Sequence, residues 1–334
     1  MEEQASQLHQ DALVVDTHCD TLLRVVGRGN MFGRKQEQYH LRDRHQEGHI
    51  DLPRLQEGGV DVQFFAAYIE PIYKPDRSLK RTLQLFDGFF TELEANQDKM
   101  VLAKTAADIE EAKAAGKVAA VLAIEGGEAL EGDLGVLRIL HRLGVRAIGL
   151  TWNERNDIAD GVGDCRSGGG LSEFGARLIA EMNRLGILVD VSHLSDPGFF
   201  DVIALSKQPI IASHSNARAV CDHRRNLTDE QIKLLAENGG VMGMNFCAPF
   251  VKADGQPTLD DLIAHIDHIV QLVGPEHVGL GSDFDGITSA PKELTDASKM
   301  PLITEALLKR GYSEEHIRLI LGGNYMRIFR QVWG

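Results

Sequence analysis

The sequence predicts an α/β chain folded as a (β/α)8 TIM barrel. Three observations predict it. Eight apolar runs are spread along 334 residues, segments of helical periodicity lie between them, and each run ends in a polar cluster able to do chemistry. Strands alternating with helices mean βαβ units and a parallel sheet. Eight such strands close a barrel, and their C-terminal ends then share one face, where the active site is built.

The elements follow in order. The first run, residues 12–15, leads into Asp16-Thr17-His18-Cys19-Asp20, and the second, 60–69, into Glu70. Residues 77–96 then read as a helix whose Leu79, Leu83, Leu85, Phe86, Phe89 and Phe90 make an apolar stripe, with a further helix over 106–115. The third run, 118–124, ends at Glu125 and is followed by a helix over 134–143. The fourth, 147–150, ends at Thr151-Trp152-Asn153 and precedes a helix over 172–185. The fifth, 187–191, ends at Ser192-His193, with a helix over 197–205, and the sixth, 209–212, ends at Ser213-His214-Ser215, with a helix over 229–237. The seventh, 240–244, ends at Asn245 before a helix over 259–273. The eighth, 277–281, ends at Ser282-Asp283-Phe284-Asp285, and a helix over 301–309 follows.

Start and stop signals support these helices. Gly144, Gly186, Gly239 and Gly274 fall where a left-handed residue is wanted after a helix. Thr228 with Gln231 reads as a capping box, and Ser313 as a weaker start. An open doubly wound sheet is the alternative fold, but Gly126-Gly127 and Gly168-Gly169-Gly170 fit neither phosphate-loop pattern. Residues 27–49 are the least regular part and are expected to loop over the mouth of the site.

Composition bounds the function. The chain is 43% hydrophobic and 25% charged, as soluble globular proteins are. Lys and Arg number 35 against 49 Asp and Glu, so the formal charge is −14, which argues against nucleic acid and anionic membranes as partners. Even composition without linkers points to a single barrel domain over 1–334. The four cysteines form no C-x-x-C pair and read as reduced intracellular thiols. No signal peptide, lipid-anchor tail or apolar run of the ~18–20 residues that span a bilayer is visible. The expected address is cytoplasmic.

The strand ends carry the chemistry. His18 and Asp20 are two apart, so a strand end points both the same way, and imidazole with carboxylate suits zinc or a similar cation. Glu125 follows six apolar residues, where a carboxylate is costly to bury unless paired or bound to a cation. His193 and His214 sit in matching frames of apolar strand, Ser, His. Singly, each is as well read as a structural group: a buried His, a helix cap, a turn carboxylate. Together, three imidazoles and two carboxylates suffice for two metals if one carboxylate bridges. Such a site hydrolyses bonds, and Asp283 is the best candidate for its proton shuttle, with Asp285 as competitor. Arg224-Arg225 reads as a surface pair or as a clamp for a substrate carboxylate. The remaining histidines, His40, His45, His49, His141, His223, His265, His268, His277 and His316, read as surface or structural groups.

These residues resemble the membrane dipeptidase (renal dipeptidase) family of zinc peptidases. The resemblance rests on Asp16-Thr17-His18-Cys19-Asp20, Glu125-Gly126-Gly127, Val191-Ser192-His193-Leu194, Ser213-His214-Ser215, Cys221-x-x-Arg224-Arg225-Asn226 and Gly281-Ser282-Asp283-Phe284-Asp285-Gly286, in order over nearly the whole chain. It implies a distorted (β/α)8 TIM barrel of the metal-dependent hydrolase type with two zinc ions, one on His18 and Asp20, the other on His193 and His214, with Glu125 bridging them. It also implies Asp283 as proton acceptor, Arg225 as binder of the substrate's C-terminal carboxylate, dipeptide substrates that often carry a D-residue at that end, and a homodimer. The chain is similar to soluble bacterial-type members. It departs from the best-known members where they carry a histidine after the fourth strand. Trp152 and Asn153 stand there, and Asn153 is expected to supply the hydrogen bond to substrate in its place. Phe250 stands where those members offer a tyrosine hydroxyl. Other barrel amidohydrolases typically start with H-x-H and bridge their metals through a lysine after the fourth strand; here H-x-D stands and residues 147–156 hold no lysine. A barrel that binds metal without catalysis is the remaining alternative.

Overall fold

The computed structural model describes residues 2–27 and 39–334. Residues 28–38, about half of the segment expected to loop over the mouth, lie outside the described residues.

Nine parallel strands form one sheet: β1 Val15–Asp16, β2 Val62–Tyr68, β3 Met100–Leu102, β4 Val118–Glu125, β5 Val145–Gly149, β6 Leu188–Asp190, β7 Ile211–Ala212, β8 Val241–Met244 and β9 Val278–Leu280. Their order is β2-β1-β9-β8-β7-β6-β5-β4-β3, and a pairing of β2 with β4 closes the barrel. That pairing runs from Val62 opposite Ala119 to Tyr68 opposite Glu125. Eight strands therefore make the ring, and each of the eight predicted runs supplies one.

β3 is a ninth strand that the sequence reading lacks. It pairs with only the first part of β4, from Met100 opposite Val118 to Leu102 opposite Ala120. β5 takes over at Leu122, with a register shift between Leu122 and Ala123. This handover is one source of the distortion of the barrel. Met100-Val101-Leu102 is too short an apolar run to stand out in sequence.

β4 is buried at every residue, as parallel strands covered on both faces must be. Strand residues alternate between two apolar clusters. Val15, Val62, Phe64, Ala119, Val121, Ala147, Leu188, Ile211 and Val241 pack with Tyr325 and Phe329 of the helix Asn324–Trp333. The intervening Phe65, Ala67, Ala120, Leu122, Ile148, Val189 and Met242 join the larger cluster shared with the surrounding helices. Tyr325 enters the ring between two glycines: a Cβ on Gly279 would lie 2.2 Å from its ring, and one on Gly243 2.6 Å from its hydroxyl.

Helices Leu134–Leu143, Asp229–Glu237, Leu259–Val273 and Pro301–Lys309 have the predicted ends; Ala106–Ala114, Glu173–Leu185 and Asp196–Leu205 differ by one residue at one end, and Ser78–Ala95 by one residue at each end. The helices Glu2–Asp11, Leu52–Glu57 and Asn324–Trp333 are additional. Thr228 and Gln231 form both bonds of the capping box, and Ser313 caps through the His316 N–H alone. Gly144 and Gly186 end their helices in the left-handed conformation; Gly274 instead takes φ 92 and ψ 165. Among the described residues no helix is long and apolar enough to cross a membrane.

Candidate metal centre

The C-terminal ends of β1, β4, β6, β7 and β9 deliver six titratable side chains to one buried place. His18 lies two residues past β1, Glu125 ends β4, His193 lies three past β6, His214 two past β7 and Asp283 three past β9. His18, Asp20, Glu125, His193 and His214 are each at most 7% exposed, and Asp283 is 9% exposed.

Their donor atoms fall into two groups that share Glu125. On one side, Glu125 Oε1 lies 2.9 Å from His193 Nε2 and 3.5 Å from His214 Nε2, and the two ring nitrogens are 3.0 Å apart. On the other, Glu125 Oε2 lies 3.5 Å from His18 Nε2, which is 3.8 Å from Asp20 Oδ2. A tetrahedral cation with ligands at ~2.1 Å holds its donors roughly 3.4 Å apart, so both groups have the spacing a metal requires. His18 Nε2 is buried and makes no hydrogen bond, the expected condition of a ligand atom. Donor atoms of His18, Asp20 and Asp283 also lie within 4.8 Å of one another, as do those of His18, Glu125 and His214.

The protonation states suit cations. Burial works against a charged Glu125, but the His18, His193 and His214 rings outweigh it and hold its carboxyl well below the usual range. Burial and the Arg225 charge push His193 down to about 3, and burial with the His18 charge lowers His214 as well. Two neutral imidazoles and an ionised carboxylate are the forms that bind metal. His18 is the exception: despite burial, Glu125 and Asp20 raise it well above 6.5. Asp283 is pushed up to about 7, first by burial and then by the Asp20 and Glu125 carboxylates, against the opposing pull of His18. The Asn245 side-chain amide donates to its Oδ2 at 2.9 Å and to the His214 carbonyl at 3.2 Å.

His193, Asp283 and Asp285 have φ of 69, 63 and 65, and Glu131 is the fourth non-glycine with positive φ among the described residues. Left-handed backbone costs a non-glycine residue on the order of 1–3 kcal/mol, and such strain gathers at functional sites. Asp285, the competing base, is engaged elsewhere. Its carboxylate accepts from Thr21 Oγ1 at 2.7 Å, Arg24 Nε at 2.6 Å and the His49 N–H at 2.9 Å, so it anchors two segments.

Arg225 is no surface residue. It is 4% exposed, its guanidinium donates to Ser215 Oγ at 3.3 Å and the His214 carbonyl at 3.0 Å, and it lies 5.4 Å over the Phe250 ring. Its Nε is buried without a partner, leaving one edge of the fork for a ligand. Arg224, by contrast, donates to the Val162 carbonyl.

Trp152 is half-buried, with its ring 6.0 Å from that of His193 and 5.1 Å from that of Tyr68. Asn153 has a role the sequence reading did not foresee. Its Oδ1 lies 2.9 Å from His193 Nδ1, so it orients that ring. Two other residues escaped notice. Tyr68 pairs with Glu125 in the β2–β4 register, and Asn245, the polar end of the seventh run, holds Asp283 directly. Tyr68 lies within the apolar stretch 64–69 and carries no motif; Asn245 is visible in sequence only as the polar end of its run. Glu70, the polar end of the second run, is gripped by Arg81 through two 2.8 Å bonds.

Comparison with known proteins agrees with this architecture. Residues 2–333 match the family model of membrane dipeptidase (peptidase family M19). The chain is 38% identical over 300 residues to dipeptidase verJ of Clonostachys rogersoniana, covering 85% of this chain and 76% of that one. It is 35% identical over 348 residues to an uncharacterized dipeptidase of Schizosaccharomyces pombe, covering 99% and 83%. Its structure is similar to that of a metallo peptidase from Rhodobacter sphaeroides bound to a phosphinate mimic of the dipeptide L-Ala-D-Ala, with TM-score 0.86, 30% identity, and 97% and 100% of the chains covered. The dipeptidase AC, a metallo peptidase of family M19, gives TM-score 0.86 at 31% identity over 97% and 99%. A family model spanning nearly the whole chain, above a buried cluster of side chains able to hold a metal at the strand ends of a (β/α)8 barrel, places this protein in the membrane dipeptidase family, as a metallopeptidase hydrolase.

Proposed function

We propose that residues 1–334 form one catalytic domain that hydrolyses dipeptides with two zinc ions, one held by His18 and Asp20, the other by His193 and His214, with Glu125 bridging them. The observation that carries this reading is the division of Glu125: one oxygen faces two imidazoles, the other faces His18. Bound there, the cations supply an activated water and polarise the scissile carbonyl.

The chain's own residues do the rest. Asp283, buried and held by Asn245, accepts a proton from the attacking water and passes it to the leaving amine. Glu125 stays ionised and fixes the two ligand groups at a constant separation. The open edge of Arg225 binds the C-terminal carboxylate, which limits substrates to two residues. Asn153 accepts from His193 through Oδ1, so its amide N–H2 is left to donate to the substrate carbonyl. Trp152 walls the site beside it. The mimic of L-Ala-D-Ala held by the Rhodobacter sphaeroides relative supports a D-residue at the C-terminal position. A homodimer, which rests on the family resemblance, and a cytoplasmic address, which rests on the scattered cysteines read as reduced thiols, complete the reading; sedimentation tests the dimer and fractionation the compartment.

The test is metal analysis of the purified chain joined to an assay over stereochemically defined dipeptides. Near two zinc per chain and chelator-sensitive cleavage of dipeptides, with tripeptides resistant, are expected. Full metal occupancy without turnover across the library overturns the proposal.

A further inference from the structure

Two buried carboxylates below the ligand layer are held in the same way. Asp190, at the end of β6, accepts the Ser192 N–H at 3.0 Å, the Ser213 N–H at 2.9 Å and Ser213 Oγ at 2.5 Å. Asp16, at the end of β1, accepts the His18 N–H at 3.3 Å, the Ser282 N–H at 2.8 Å and Ser282 Oγ at 2.6 Å. Each takes the amide two residues on in its own strand, then the amide and hydroxyl of a serine on the neighbouring strand. One latch ties β6 to β7, the other ties β1 to β9.

They differ in one contact. Ser213 Oγ lies 2.7 Å from His214 Nδ1, whereas no ring nitrogen is bonded to Ser282 Oγ, whose further neighbours are the His18 carbonyl and the Phe284 N–H. A hydroxyl has one proton to give. Ser213 gives it to Asp190, so toward the ring it can only accept, and His214 must carry its proton on Nδ1. Nε2 is then a bare lone pair, and it is this atom that lies 3.5 Å from Glu125 Oε1. His193 is held in the same form by a group with no proton to give, Asn153 Oδ1.

We propose that Asp190 and Ser213 are positioning residues that fix the tautomer and aim of His214 for metal, a duty the matched Asp16–Ser282 latch does not have. The inference rests on the reading of His214 as a metal ligand. Neither residue touches the cation; they act through the ring, in the manner of partners that orient a ligating imidazole. Asp190→Asn is the sharpest probe. An amide there can donate to Ser213 Oγ, the hydroxyl then donates to Nδ1, and the proton moves to Nε2, where it blocks ligation.

The experiment is zinc titration of the metal-free full-length chain against a chromophoric chelator, for wild type, Asp190→Asn, Ser213→Ala and Ser282→Ala, with thermal melts of each metal-free variant. Asp190→Asn and Ser213→Ala should weaken one of two zinc-binding steps by about 10–100-fold and spare the other. Ser282→Ala measures what losing a latch costs the fold alone, and should lower the melting temperature without that selective loss. Equal weakening by Ser213→Ala and Ser282→Ala, or wild-type affinity at both steps in Asp190→Asn, overturns the proposal. If Ser213→Ala does not fold, Asp190→Asn against Ser282→Ala makes the same comparison. A wild-type chain that takes up no zinc overturns the metal reading itself, which separates the two failures.

Discussion

Asp283 and Arg225 sit within one buried network but are expected to fail differently when replaced. Asp283→Asn keeps the volume and removes the proposed proton acceptor, so kcat should fall by about 10²–10⁴-fold with zinc content unchanged. The carboxylate also lies within 4.8 Å of His18 and Asp20 donors, so loss of zinc in the variant would move Asp283 from proton carrier to ligand. Arg225→Ala removes a buried guanidinium with an unpartnered Nε. If it clamps the substrate carboxylate, KM for dipeptides should rise about 30-fold or more while kcat changes little. An unchanged kcat/KM would remove that role. The residues delivered to the site were legible because their types are conspicuous at strand ends. The hold of Asn153 on His193, and any part for Asn245 and Tyr68, were obscure because an amide or a phenol becomes informative only once its partner is known, and those partners lie 40, 38 and 57 residues away.

Strands and helices contribute to the site with different margins. The helix Asp229–Glu237 begins at a half-buried cap, and Thr228→Ala should cost about 1 kcal/mol of stability and leave activity intact. The strand-end glycines have no such latitude. A Cβ on Gly281 would lie 1.7 Å from the Ser213 carbonyl oxygen and 3.0 Å from Thr17 Oγ1, so Gly281→Ala must push apart the ends of β9, β7 and β1. The expected cost is about 1–3 kcal/mol in the denaturant midpoint, with weakened zinc binding, because the same backbone carries His18 and His214. A variant with wild-type midpoint and zinc affinity would refute this tight packing. Periodicity made the eight ring strands and the long helices legible. It could not reveal β3, three residues long, or the C-terminal helix as the plug of the barrel, since its Tyr325 is accommodated by glycines on β8 and β9.

Around the ring, β1 and β6 are separated by β2, β4 and β5 on one side and by β9, β8 and β7 on the other, so the strands bearing His18 and His193 stand opposite each other. Cations shared through Glu125 would therefore tie the barrel across its mouth, where hydrogen bonds between neighbouring strands do not reach. The other end is closed by side chains: Tyr325 and Phe329 pack against inward residues of several strands and need no metal. Chelation should then destabilise the two ends unequally. Binding at a free metal concentration of 1,000 times Kd contributes about 4 kcal/mol, which metal removal forfeits as a lower melting temperature. Amide exchange should locate the loss. Protection should fall at Asp16–Asp20, Glu125, Asp190–His193 and Ile211–His214, while Asn324–Trp333 and the starts of the strands keep theirs. Uniform loss along the whole chain would show that the metals stabilise the fold globally; loss confined to the mouth would show that the barrel is built from its base and that the cations complete its catalytic end.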